Sequence, residues 1–130
     1  MSAHRFTCRV YYEDTDLAGI VYYANYLKFI ERARTEWVRA LGIDQGRLKE
    51  ETGTVFAVRR LEADYLRPAR FDDVLDVETR VAGLRPARVT VAQDVLREGG
   101  RLFAARVELV ALGAAGRPVR LPAALLSALG

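Results

Sequence analysis

The chain has 130 residues, 51% of them hydrophobic and 28% charged, which fits one domain, 1–130, whose core needs no disulfide or metal staple. That length excludes a dinucleotide-binding domain joined to a substrate domain, and a full (β/α)₈ barrel. The formal charge is +3, from 20 Lys and Arg against 17 Asp and Glu, and no basic run of the kind that marks a nucleic-acid arm accompanies it.

The opening residues MSAHRFTCRVYYEDTD lack the apolar core of a secretory signal, so a cytosolic protein is expected. The single cysteine, Cys8, fits a reducing compartment and reads as core filler. His4, the only histidine, is placed ahead of the first strand as an exposed terminal side chain. Residues 5–12 alternate, with Phe6, Cys8, Val10 and Tyr12 on one face and Arg5, Thr7, Arg9 and Tyr11 on the other, which predicts a strand. After the polar segment EDTDLAG the period changes. From about Tyr22 or Tyr23, the residues Tyr22, Tyr26, Phe29, Ile30, Ala33, Trp37, Val38 and Leu41 recur at three- and four-residue spacings, the stripe of one long amphipathic helix that Gly42 ends. Asp44 predicts the N-cap of a short second helix through about Thr52, stopped by Gly53.

From Thr54 to Leu112 the pattern is strand, broken by turn signals roughly every dozen residues. Val55, Ala57, Leu61, Ala63 and Tyr65 share one face; Leu75, Val77, Thr79 and Val81 another; Val89, Val91 and Val95 a third; and after Gly99-Gly100 come Phe103, Ala105, Val107, Leu109 and Ala111. The tail after Pro122 reads as a short helical or irregular end. One strand, one long helix and then four strands is an α+β order, with a five-stranded antiparallel sheet covered on one face by the helix. The other face carries apolar residues such as Leu66, Leu96 and Val110 among polar ones, which predicts an oligomer that buries part of it. The string LRPAR occurs at Leu66–Arg70 and at Leu84–Arg88 with unlike flanks, and reads as two similar turns rather than a repeat. No stretch approaches the roughly 18 uninterrupted apolar residues of a membrane span.

The segment richest in chemistry is Val10 to Arg34, VYYEDTDLAGIVYYANYLKFIERAR. It sets Glu13, Asp14 and Asp16 in a loop just before a helix whose first turn has unpaired N–H groups and a partial positive end. Such acids can simply cap and neutralise the helix. They can also place a carboxylate opposite an anion-stabilising helix end, an arrangement suited to attack on a carbonyl. A metal loop is disfavoured, because EDTDLAG has no further ligands and no nearby histidine.

This segment closely resembles the signature of the 4-hydroxybenzoyl-CoA thioesterase family of hot-dog-fold proteins, in particular the acyl-CoA thioesterase branch found with the bacterial Tol–Pal system. The matching residues are Asp16, Gly19, Val21-Tyr22-Tyr23-Ala24-Asn25-Tyr26 and Glu31-Arg32-Ala33-Arg34, with YLRPARFDD at Tyr65–Asp73 and Asp76-Val77-Glu78-Thr79 downstream. The resemblance implies a hot-dog fold, a long helix wrapped by an antiparallel sheet and assembled as dimers or tetramers, and hydrolysis of acyl-CoA without a cofactor. Carried over by position, it implies Asp16 as the catalytic aspartate and the Tyr23 backbone N–H as the carbonyl-polarising donor. Asn25 and Tyr26 match the motif as substrate contacts or as helix-packing residues. Many Tol–Pal members have histidine where this chain has Tyr23, which follows the 4-hydroxybenzoyl branch.

Few groups suffice for this chemistry, because a thiol of pKa near 8.5 leaves as thiolate with little help. Asp16 either activates water as a general base or attacks to form a mixed anhydride that water opens. No Gly-x-Ser-x-Gly elbow is present, Ser2 and Ser127 are terminal and His4 is remote, which excludes a Ser-His-Asp hydrolase; a hydratase lacks its histidine for the same reason. Lys28 and Lys49 are the only lysines, so the basic side is nearly all arginine, a bias that GC-rich coding produces and that also suits phosphate. Arg85 and Arg88, flanking a turn, are candidates for holding the CoA phosphates, with Arg67 and Arg70 next, against the reading of solvated turn arginines. The alternative function is a non-catalytic hot-dog protein that binds acyl-CoA or acyl carrier protein.

Overall fold

The computed structural model describes residues 3–130; Ser2 lies outside them. Strand β1 (His4–Arg9) precedes a 3₁₀ turn at Tyr12–Asp14. Then come helix α1 (Asn25–Ala40), helix α2 (Gln45–Thr52), strands β2 (Val55–Tyr65), β3 (Val74–Arg85), β4 (Arg88–Arg97), β5 (Gly100–Leu112) and β6 (Pro118–Val119), and helix α3 (Ala123–Leu129). The sheet is antiparallel in the order β1-β3-β4-β5-β2, with the two-residue β6 added on β5 beyond the expected five strands.

The apolar stripe of α1 explains its placement. Tyr26, Phe29, Ile30, Ala33, Trp37 and Val38 are buried, and they face Leu75, Val77, Val91, Val95, Phe103 and Val107 from the inner face of the sheet. Truncating Ile30 or Leu75, neither exposed, to alanine removes contacts worth about 2–5 kcal/mol. Within this interface Gln93, fully buried on β4, donates to Ile30 C=O at 2.9 Å and to Thr79 Oγ1 at 2.8 Å, and accepts from Arg34 Nη1 at 2.9 Å. The helix is thereby tied to two strands by polar as well as apolar contacts.

Local signals act where they were read. Gly42 leaves α1 at φ +86°, Asp44 Oδ1 accepts from Arg47 N–H at 3.0 Å, and Gly53 ends α2 at φ +73°. The inner-face assignments on β3, β4 and β5 hold, and the tail forms α3 behind Pro122. Four expectations need correction. On β2 the bulge between Val58 and Arg60 puts Val55 and Ala57 on the face opposite Leu61, Ala63 and Tyr65, so that Phe56 and Val58 pair with the inward-facing Ala111 and Leu109 instead. β1 stops at Arg9 because Val10 turns inward, exchanging backbone bonds with Asp72 and Asp73, so Tyr12 is 83% exposed instead of facing the core. α1 starts at Asn25, and Tyr22 stays in a turn, 47% exposed. His4 is the first residue of β1, opposite Thr79 and half-buried, with its Nδ1 enclosed and without a partner among the described residues. Cys8 is half-buried on the inner face, where burial pushes its thiol up to about 11. The two LRPAR strings differ: the first is the link after β2, the second spans the β3–β4 hairpin. No helix among the described residues is long and apolar enough to cross a membrane.

Candidate active site

The loop between β1 and α1 is held from inside by Asp14, which is 7% exposed. Its Oδ2 accepts from Tyr11 N–H at 2.8 Å and its Oδ1 from Asn25 Nδ2 at 2.5 Å, while its backbone carbonyl accepts from Tyr22 N–H at 2.9 Å. One buried carboxylate thus binds the start of the loop to the first residue of the helix, and both of its oxygens are satisfied. Asn25 is spent on this contact, buried at 8% exposure.

Asp16 lies on a smaller turn raised from that frame. A bridge between Thr15 and Val21 closes it. Asp16 N–H donates to Ile20 C=O and Gly19 N–H to Asp16 C=O, each at 2.9 Å, and Gly19 takes φ +80°, a conformation that a side chain would strain. The carboxylate is exposed. Its Oδ1 accepts from Ala18 N–H at 3.0 Å, and its Oδ2 has no protein partner among the described residues. The turn is fastened to the segment after β2 by Val21 N–H on Ala69 C=O at 2.9 Å and by a bridge from Ile20 to Arg70.

The helix end is left open. Ala24, the N-cap residue, supplies no side-chain bond, and neither Asp14 nor Asp16 accepts from an N–H of the first turn. The capping role considered for these acids is therefore not the one they perform at α1. Asn25 N–H closes a turn onto Tyr22 C=O at 2.8 Å, and the N–H groups of Tyr23 and Ala24 have no acceptor among the described residues. Two adjacent donors at the positive end of a 16-residue helix form an anion-binding edge.

Beside this edge is an apolar cavity of about 300 Å³, lined by Ile20, Val21, Tyr23, Tyr26, Tyr65, Leu66, Arg67 and Pro68. Tyr26 is buried, stacked on Phe103 at 4.9 Å between centroids, and its hydroxyl accepts from Ala69 N–H at 2.9 Å. Burial pushes its phenol above the ordinary range, partly offset by that bond. Asp73 braces the segment after β2: its Oδ2 accepts from Arg70 N–H at 2.8 Å and from Arg97 Nη1 at 2.6 Å.

Tyr23 and Tyr26 therefore line one cavity with Arg67, Asn25 stands behind them on the Asp14 frame, and Asp16 sits on the turn that leads into the helix, bridged through Ile20 to Arg70. Arg85 and Arg88 do not join them. They lie where β3 ends and β4 begins, roughly 30 Å along the sheet at about 3.3 Å per residue. There they line an open cleft of about 710 Å³ with Arg59, Ala57, Val58, Val110 and Leu112. Arg88 Nη1 and Arg59 Nη1 both bond Glu108 Oε1 at 2.8 Å. Burial acting alone would raise the Glu108 carboxyl, but the bonds and charges of the two guanidiniums outweigh it and hold it below the ordinary carboxylate value of 4.5. Arg59 was missed from sequence because its direction depends on a bulge between Val58 and Arg60. Asp14 was read as one loop acid among three, since only the fold reveals its pairing with Asn25.

A profile of the thioesterase superfamily matches residues 18–104. The chain is 45% identical over 104 residues, 80% of its length and 76% of the relative's, to a Haemophilus influenzae protein named acyl-CoA thioesterase YbgC. Among solved structures, a probable thioesterase from Bartonella henselae is 39% identical and superposes with a TM-score of 0.89 over 93% of this chain and 100% of the other. An aspartate-to-asparagine mutant of 4-hydroxybenzoyl-CoA thioesterase, complexed with 4-hydroxybenzoyl-CoA, shares the fold at a TM-score of 0.92 over the full length of both chains, with 24% identity.

Proposed function

The chain belongs to the thioesterase superfamily and is an acyl-CoA thioesterase with the hot-dog fold, and from that premise we propose that Asp16 and the Tyr23 backbone N–H carry the hydrolysis. The observation behind this reading is the contrast within one loop: Asp14 is fully bonded and buried, whereas Asp16 keeps a free carboxylate oxygen on the turn that runs into a helix end with two donors lacking an acceptor among the described residues.

In this mechanism the thioester carbonyl oxygen lies on the Tyr23 N–H, where the negative charge that develops on it is stabilised by a donor already in place. Asp16 either takes a proton from the attacking water or itself attacks the carbonyl carbon. In the first route the tetrahedral intermediate collapses to carboxylic acid and CoA thiolate. In the second, thiolate leaves an aspartyl anhydride, which water cleaves to regenerate the carboxylate. Both routes release one thiol per thioester and consume one water. The acyl group occupies the cavity bounded by Tyr23, Tyr26 and Tyr65, with the Tyr26 ring held in its wall by the bond from Ala69 N–H.

A second copy of the chain supplies the rest of the binding surface in this reading. β2 is an 11-residue edge strand with Val55, Val58, Leu61 and Tyr65 each at least 36% exposed, a length and apolarity that free edges of monomers usually avoid. Arg85 and Arg88, too far along the sheet to serve the site of their own chain, then contact the CoA phosphates from a neighbour, a role in which they affect KM. Thiol release from a panel of short, long, branched and aromatic acyl-CoAs, measured for wild type beside Asp16→Asn, tests the assignment. Turnover at the wild-type rate by a folded Asp16→Asn protein would refute it.

A further inference from the structure

Donors at a helix end are useful only if their peptide planes are held, and the two planes here are held by different elements. The Tyr22–Tyr23 peptide is fixed locally, by Asn25 N–H on Tyr22 C=O. The Tyr23–Ala24 peptide has no backbone partner for its carbonyl among the described residues. That oxygen instead accepts the phenolic O–H of Tyr65 at 2.8 Å, from 42 residues further along the chain. Tyr65 is the last residue of β2, paired in register with Phe103. Its ring meets those of Tyr23, Tyr26 and Phe103 edge-on, with centroids 6.2, 5.5 and 5.0 Å away, so the hydroxyl is aimed by three aromatic contacts. Burial, then the neighbouring Tyr23 and Tyr26, push the phenol above its ordinary range.

We propose that Tyr65 is a positioning residue for thioester hydrolysis: by holding the Tyr23 carbonyl, its hydroxyl orients the Tyr23–Ala24 peptide and with it the Ala24 N–H, a second donor offered to the substrate carbonyl beside the Tyr23 N–H, whose own peptide Asn25 holds. The inference rests on the roles proposed above for Asp16 and Tyr23. Two physical effects carry it. A peptide whose carbonyl is already bonded cannot rotate away when charge builds on the substrate, and a bonded carbonyl polarises its own amide, strengthening the attached N–H by roughly 10–30%. Both matter more in the transition state than in the ground state, so the hydroxyl acts on kcat and leaves KM in place.

Tyr65→Phe deletes one oxygen and keeps the ring in its aromatic contacts. Removing an oxyanion donor outright costs about 10²–10³-fold, so loosening one is expected to lower kcat by about tenfold. KM is expected to change by less than about twofold, with the melting temperature held. The amide resonance of Ala24 should shift in the ¹H–¹⁵N spectrum, because its own peptide carbonyl has lost a bond. Wild-type kcat in Tyr65→Phe, with Asp16→Asn inactive, overturns the proposal and leaves the role of Asp16 standing. A fall in kcat accompanied by matching changes in KM and melting temperature also overturns it, since that is the signature of a packing residue. An active Asp16→Asn protein removes the premise instead.

Discussion

At the end of the sheet where β2 finishes and β3 begins, Asp14 and Tyr65 fasten the loop and the start of the helix, Asp73 braces the segment after β2, and the Tyr23 and Ala24 N–H groups and one oxygen of Asp16 have no partner among the described residues. At the opposite end, Arg59 and Arg88, which line an open cleft, converge on one oxygen of Glu108, two guanidiniums on a single carboxylate. The first end keeps free donors on a bonded frame; the second is solvated, with its one carboxylate already engaged by two guanidiniums. Polar groups become reactive when a frame supported by other bonds prevents them from finding partners. Charges that have already found partners bind an incoming phosphate only by exchanging one carboxylate for another anion, which limits them to modest effects on affinity.

Four substitutions probe that contrast. Asp16→Asn is expected to lower kcat at least about a hundredfold while hardly moving the melting temperature, since its Oδ1 can still accept from Ala18 N–H; a large loss of stability would show that Asp16 belongs to the frame. Asp14→Ala should do the reverse, costing about 2–4 kcal/mol in urea unfolding by orphaning the Tyr11 N–H and the Asn25 amide, with activity falling as the frame loosens. Wild-type stability in that variant would mean the loop is held from elsewhere. Arg88→Gln is expected to raise KM for acyl-CoA about three- to tenfold with kcat preserved, and a pure kcat effect would move Arg88 out of a binding role. The smallest effect concerns pH. Because the Glu108 carboxyl is held below 4.5 by its two arginines, its contribution to stability is present above the ordinary carboxylate range and lost as pH falls through its folded value. Urea midpoints between about pH 3 and pH 7 should therefore decline less on the acid side in Glu108→Gln than in wild type.

The fold was largely legible because each element carries its own periodicity. The α1 stripe, the inner faces of β3 to β5, the Asp44 cap and the glycines that end both helices are local patterns, and they appear where read. Reading failed where tertiary contacts overrode the local pattern. Tyr12 continues the alternation of β1, yet the chain turns away at Val10 because Asp72 and Asp73 offer it backbone partners. Tyr22 continues the helical stripe but is held in the preceding turn by Asp14.

The site divides the same way. Asp16, Gly19 and Tyr23 to Tyr26 were found together because they are neighbours in the chain, and a loop that runs into a helix start brings its residues close wherever the rest of the sheet lies. The sequence by itself determined the α+β order, the long buried helix and the family signature, since these depend on residue type and spacing over a few turns. Only the tertiary structure separated Asp14 from Asp16, carried Arg85 and Arg88 to the far end of the sheet, paired Arg59 with Glu108 and set the Tyr65 hydroxyl on the Tyr23 carbonyl. Those outcomes depend on which strand ends are adjacent and which way each side chain points after a bulge or turn, and that is decided by the closure of the whole sheet around the helix.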